Sequence, residues 1–305
     1  MTIERLSAVD ARRDSFLLFP ALVALLRPRQ WTKNAVVFAA LVFDLKLFDI
    51  ADFLRVLGAT LCFCLASSTV YIVNDIRDAE SDRQHPRKRR RPIAAGTVSN
   101  RTAWWLAIGL LAVAMPFAFA LRVEFGFVVV AYLALMTAYT LYVKHLVILD
   151  VFAISAGFVL RAAGGAVVID VPISPWLYVC TVLLSLFLAF GKRRNELLLL
   201  DASAAAHRRN LEEYSPQLLD QFILITAAAT VMSYSLYTFV AANVPGDHSM
   251  MLTIPFVLYA IFRYLFLVYR RDEGGSPEYM LLGDLPLLGC IALWGIAAVI
   301  ILYAS

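Results

Sequence analysis

Residues 51–82 read ADFLRVLGATLCFCLASSTVYIVNDIRDAESD, an apolar run that passes without a turn signal into a string of acids. The stretch 53–73 has the length of a bilayer crossing, which takes about 20 apolar residues in a helix. Similar runs recur on either side, at 34–50, 103–121, 125–142, 148–168, 175–198, 219–242, 250–270 and 284–303. They are too long and too continuously apolar for the alternating strands of about 10 residues that build a membrane barrel. The expected fold is therefore an all-α integral membrane bundle of nine crossings. Residues 1–305 read as one transmembrane domain, with residues 1–20 a polar segment before the first crossing and no cleavable signal.

Composition agrees. Hydrophobic residues make up 61% of the 305 and charged residues 16%, against roughly 45–50% and 25% in soluble chains. That leaves too little polar material to cover a soluble surface. The formal net charge of +4 carries no polyanion signature, and no nucleic-acid partner is expected. The four cysteines, Cys62, Cys64, Cys180 and Cys290, all fall in apolar runs without metal-ligand spacing and read as small buried hydrophobes.

Lys and Arg concentrate in alternate connections: Arg27 to Lys33, Arg77 to Arg101, Lys144, Lys192 to Arg209, and Arg270 and Arg271. The opposite turns hold only Lys46, Arg55 and Arg122. Basic loops stay inside, which predicts a multi-pass membrane protein with a cytoplasmic N-terminus and a polar face looking into the cytoplasm.

Topology explains the sign of that charge but not the acids among it. If the helix of 53–73 continues, Tyr71, Asn74, Asp78 and Asp82 share one face at steps of three and four, with Asp75 flanking it. An all-oxygen set of this kind suits a hard cation, and Mg²⁺ usually shares its coordination with water and substrate phosphates. A solvated helix end with local ion pairs to Arg77 and Arg83 is the plainer reading. The basic loop directly after the acids, His85-Pro86-Arg87-Lys88-Arg89-Arg90-Arg91-Pro92, favours the first. Metal plus Arg and Lys is what a diphosphate needs.

NDIRDAESD (74–82) followed by RRRPIAAG (89–96) resembles the first aspartate-rich motif of the UbiA superfamily of intramembrane prenyltransferases. RPRQWTKN (27–34) and AYTLYVKHLVILD (138–150) are similar to two further polar stretches of that superfamily. The resemblance implies a nine-helix bundle that binds a diphosphate through Mg²⁺. Members usually carry a second aspartate-rich motif at the end of the sixth helix. Here that place reads FGKRRNEL (190–197), three cations in place of a metal site. This stretch, and IFRYLFLVYRRDEGGSPEYMLLGDLPL (261–287), resemble the decaprenyl-phosphate phosphoribosyltransferase branch. That branch transfers phosphoribose from 5-phosphoribosyl 1-diphosphate (PRPP) to a polyprenyl phosphate on the route to cell-wall arabinan.

The resemblance implies roles for the residues. Asn74, Asp75, Asp78 and Asp82 are the expected Mg²⁺ ligands, and the three aspartates the catalytic set. Arg87, Lys88 and Arg91 are expected on the diphosphate. Lys192, Arg193 and Arg194 are expected on the 5-phosphate, with Lys33, Tyr71, Tyr139, Tyr142 and Lys144 at the same mouth for either phosphate. The expected partners are PRPP, a polyprenyl phosphate and the bilayer, and a homo-oligomer is compatible with the chain. Two rivals stay open. One is a prenyltransferase acting on an aromatic acceptor. The other is a transporter, whose marks are inverted repeats and helices broken at mid-membrane; neither mark is read here. Arg161 and Arg263, inside spans, are candidates for function or for interhelical pairs.

Overall fold

A computed structural model describes residues 19–84, 88–200, 213–270, 280 and 282–304. The described residues are helical and turn structure without strands. Residues 19–26 form α1. After a 3-10 segment, Pro28–Phe38, come α2 (Ala39–Phe43), α3 (Ile50–Gln84), α4 (Asn100–Leu121), α5 (Val123–Leu141) and α6 (Leu149–Val168). The bundle closes with α7 (Pro175–Leu200), α8 (Pro216–Val240), α9 (Ile254–Arg270) and α10 (Leu285–Ala304). Eight helices, including α3 to α8, α9 with its preceding 3-10 turn, and α10, are long and apolar enough to cross a membrane.

The first expected span, 34–50, is not a helix of its own. The chain enters through α1, turns at Arg27 in the left-handed region (φ 52), and runs on as the 3-10 segment before a single short stretch of α-helix. Pro28 explains the start, since its ring forbids the hydrogen bond that would continue α1. Counting apolar residues marked the run but not its broken backbone, and the run is not among the eight helices long and apolar enough to cross a membrane. A broken segment is therefore present after all.

The other boundaries follow local chemistry. Ser99 caps α4 by accepting from the Thr102 amide, and Ser215 caps α8 by accepting from the Leu218 amide, with Pro216 in the first turn. Asp284 accepts from the Leu287 amide at the start of α10.

Helix α3 has 35 residues, so it is about 50 Å long at 1.5 Å per residue, against a hydrocarbon core of about 30 Å. The excess carries the acidic motif out of the apolar layer while leaving it helical. Helices α3 and α6 are the most enclosed of the spans, and α4 and α10 the most outward-facing. One core joins Val37, Leu41, Phe63, Phe125, Val129 and Tyr132 around α3 and α5. A second joins Val151, Phe187, Leu219, Tyr264 and Leu267 around α7, α8 and α9. Exposed Trp105, Phe127, Ile225 and Leu285 suit a lipid-facing rim.

Candidate active site

The motif's amide and three aspartates on α3 divide into two pairs. Asn74 Nδ2 donates to Asp78 Oδ2 at 3.0 Å, one turn apart. Asp78 Oδ1 then receives Lys144 Nζ at 2.7 Å from the connection between α5 and α6. On the other side, Asp75 Oδ1 receives Arg27 Nη2 at 2.5 Å and Arg91 Nη1 at 2.9 Å. The same Arg91 nitrogen reaches Asp82 Oδ2 at 2.6 Å, so these two buried carboxylates are neighbours. Asp75 thus shares Arg91 with Asp82, seven residues and two turns away, while it flanks Tyr71, one turn before it.

Arg27 is the residue that sequence reasoning leaves out. Its guanidinium lies 5.0 Å from the centre of the Tyr71 ring while pairing with Asp75. The available signal is an arginine directly before a proline, at the head of the RPRQWTKN stretch.

The basic run on α7 also divides. At about 100° per residue, three consecutive side chains must point three ways. Arg193 turns inward and is 2% exposed. Its Nε donates to Asp150 Oδ2 at 2.8 Å, its Nη1 to Glu196, and its Nη2 to Tyr139 Oη at 3.3 Å. Asp150 is fully buried and also receives Tyr214 Oη at 3.3 Å. Burial, then the Asp150 charge, pushes the Tyr214 phenol up to about 12, so it stays a donor at neutral pH. Arg194 points toward α8 and α9: its Nε meets Asp220 at 2.6 Å, and it stacks 4.3 Å from the centre of the Tyr269 ring. Tyr269 Oη donates to the same carboxylate at 2.8 Å. Lys192 is the most exposed of the three, its Nζ 3.9 Å from Glu196.

The stretch 138–150 connects the two halves. Tyr139 reaches Arg193, Lys144 reaches Asp78, and Asp150 pairs with Arg193. Tyr142 is exposed between them. Tyr71 lies under Arg27. Lys33 lies on the 3-10 segment that follows Arg27, and Lys88 stands in the 3-10 turn Lys88–Arg90. Arg87 lies outside the described residues, as do His207, Arg208, Arg209 and Glu278. Arg263 forms a two-point pair with Asp284, Nε to Oδ1 at 3.0 Å and Nη2 to Oδ2 at 2.8 Å, which ties α9 to the start of α10.

No three His, Cys, Asp or Glu side chains among the described residues converge into a ready-made metal cage. Mg²⁺ is commonly held by one or two carboxylates, with phosphates and water completing its shell. Asn74 and Asp78 supply two adjacent oxygen-bearing groups, and Asp75 and Asp82 a second pair next to them.

The chain matches the UbiA prenyltransferase family over residues 35–285. It is 38% identical over 288 residues to the decaprenyl-phosphate phosphoribosyltransferase of Mycobacterium tuberculosis, covering 92% of this chain and 94% of that protein. It is 35% identical to the decaprenyl-phosphate phosphoribosyltransferase of Corynebacterium glutamicum, covering 94% and 88%. Its fold is similar to a solved UbiA homolog from Archaeoglobus fulgidus bound to GPP and Mg²⁺, with a TM-score of 0.72 at 18% identity over 93% of this chain and 99% of that one.

Proposed function

The chain belongs to the UbiA prenyltransferase family, and from that premise we propose that it transfers 5-phosphoribose from PRPP to decaprenyl phosphate or a similar polyprenyl phosphate, releasing diphosphate. The observation that carries this reading is the asymmetry of the polar end. One side offers Asn74, Asp75, Asp78 and Asp82. The other, where the family resemblance leads one to expect a second set of aspartates, offers Lys192, with Arg193 and Arg194 beside it on α7 paired to Asp150, Glu196 and Asp220. A donor with a diphosphate at one end and a single phosphate at the other matches that arrangement, and the names of the curated relatives support it.

Asn74 and Asp78, supported by Asp75 and Asp82, are the proposed holders of Mg²⁺, which supplies charge neutralisation to the departing diphosphate. Lys144, Arg27 and Arg91, paired with these carboxylates, are the proposed cations for the same diphosphate and would pass from carboxylate to phosphate when the donor enters. Lys192 is the proposed 5-phosphate ligand. Arg193, held by Asp150 and Glu196, keeps α7 in register with the 138–150 stretch. The acceptor phosphate is an anion at neutral pH and needs no general base. Its oxygen attacks the anomeric carbon opposite the diphosphate, with inversion from α to β. Catalysis is then positioning and charge stabilisation. The isoprenoid tail lies in lipid against the apolar rim. The positive-inside bias supports an orientation with this face in the cytoplasm; a plasma (inner) membrane location and a product that enters arabinan synthesis are what the family resemblance implies.

The experiment is direct. Purified protein receives ribose-labelled PRPP, Mg²⁺ and polyprenyl phosphate, and the label is followed into organic solvent. Transfer that stops with EDTA and resumes with Mg²⁺ is expected. No lipid-linked label, with prenylation of 4-hydroxybenzoate in a parallel tube, would replace this reading with a prenyltransferase.

A further inference from the structure

Two residues of α6 lie outside the site but against the first segment. Arg161 is 5% exposed and eleven residues beyond Asp150, hence about 16 Å deeper in the bundle. Its Nε donates to Asn34 Oδ1 at 2.7 Å, its Nη1 to Gly157 O at 2.9 Å and its Nη2 to Tyr132 Oη at 2.8 Å. The rings of Tyr132 and Phe158 stand 4.6 and 5.4 Å from the guanidinium carbon. Every one of these partners is neutral, and no carboxylate among the described residues pairs with it. A buried cation held only by neutral groups is costly at membrane depth, so stability alone is a poor reason to keep it.

What Arg161 grips is informative. Asn34 is 1% exposed and sits in the 3-10 segment; its Oδ1 accepts from Arg161 and its Nδ2 donates to Cys64 Sγ on α3 at 3.2 Å. One turn beyond Arg161, a Cβ on Gly165 would lie 2.0 Å from the Val37 carbonyl oxygen. Only glycine lets the segment approach α6 this closely. Nearer the polar end, Trp31 Nε1 donates to Ser68 Oγ at 3.1 Å, and Ser68 Oγ donates to Leu26 O at 2.7 Å.

A 3-10 run of 11 residues is long for that geometry, which rarely sustains itself beyond about four residues. Its course is imposed from outside. The strained left-handed backbone at Arg27 likewise persists only where its surroundings hold it.

We infer that Arg161 is a positioning residue: with Gly165 it seats residues 28–38 deep in the bundle, and that seat delivers Arg27, at the segment's polar end, onto Asp75. This inference rests on the reading above that Arg27 and Asp75 serve the donor diphosphate. Arg161 touches no reacting atom, and its effect passes through Arg27.

The test uses the full chain in nanodiscs, with Arg161→Gln, Gly165→Ala, Arg27→Gln and the Arg161→Gln/Arg27→Gln double variant. Gly165→Ala disturbs the same seat without removing a charge, so it serves if Arg161→Gln fails to insert. Either single change on α6 should raise KM for PRPP about tenfold, the scale of one lost charged hydrogen bond, and leave KM for polyprenyl phosphate within about twofold. In the double variant the Arg161 effect should largely vanish, since Arg27 is already gone. Trypsin cleavage after Arg29, read by mass spectrometry, should accelerate in both α6 variants. Unchanged KM for PRPP and unchanged cleavage, or effects of Arg161 and Arg27 that simply multiply, would overturn the inference. The cleavage readout needs no substrate. Faster cutting in a protein that transfers no phosphoribose would therefore reject the proposed function and keep the seat.

Discussion

Replacing Arg193 by Gln separates a structural tie from a substrate ligand. Arg193 and Asp150 are both almost fully buried and meet at 2.8 Å. Removing the guanidinium leaves a carboxylate enclosed in the bundle without its cation, a loss of about 3–5 kcal/mol. In a chain of this size that corresponds to a fall in Tm on the order of 10 °C. Scanning fluorimetry in detergent reads it directly. The companion variant Arg193→Met/Asp150→Leu removes both charges and should recover most of the stability, since a buried pair replaced by apolar groups is often neutral. Steady-state kinetics on the same samples complete the test. A Tm unchanged in Arg193→Gln, with KM for PRPP raised and kcat intact, would refute the assignment of Arg193 as a tie and make it a phosphate ligand.

Lys192→Gln should do the reverse, raising KM for PRPP about tenfold with a much smaller change in Tm, because its side chain is partly exposed where that of Arg193 is buried. Asp78→Ala should abolish transfer while the protein still inserts, and should weaken Mn²⁺ binding measured by electron paramagnetic resonance; unchanged turnover would remove Asp78 from the metal set. Asp284→Asn should lower Tm, by about 1–3 kcal/mol in stability, through the loss of its charge opposite Arg263 and a weaker cap on α10; a change in KM instead would place this pair in the site.

The acidic motif of α3 is legible in sequence because helical spacing and the neighbouring basic run make one pattern. The start of α7 is legible from Pro175, while the apolar run that marks the next span begins at 219, three residues after Pro216, which with the Ser215 cap starts α8. Three features are not legible. The broken course of residues 27–43 is invisible to hydropathy, which sums side chains and ignores backbone state. The Arg27–Asp75 contact joins residues 48 apart through a left-handed turn that no local pattern announces. The divergence of Lys192, Arg193 and Arg194 follows from helix geometry, but their partners Glu196, Asp150 and Asp220 include two on other helices, and only packing selects those two. Arg161 shows the same limit: its place inside a span is plain, while its grip on Asn34 needs the fold.

The central claim is that the diphosphate sits on the sugar and the lipid is the acceptor. A single reaction tests it, with PRPP carrying ³²P in its β-phosphate and ¹⁴C in its ribose, Mg²⁺, and unlabelled polyprenyl phosphate. The account predicts that ¹⁴C moves into the lipid phase while an equal amount of ³²P appears in water as inorganic diphosphate. Lipid that gains no ¹⁴C, or gains ³²P with it, would contradict the account.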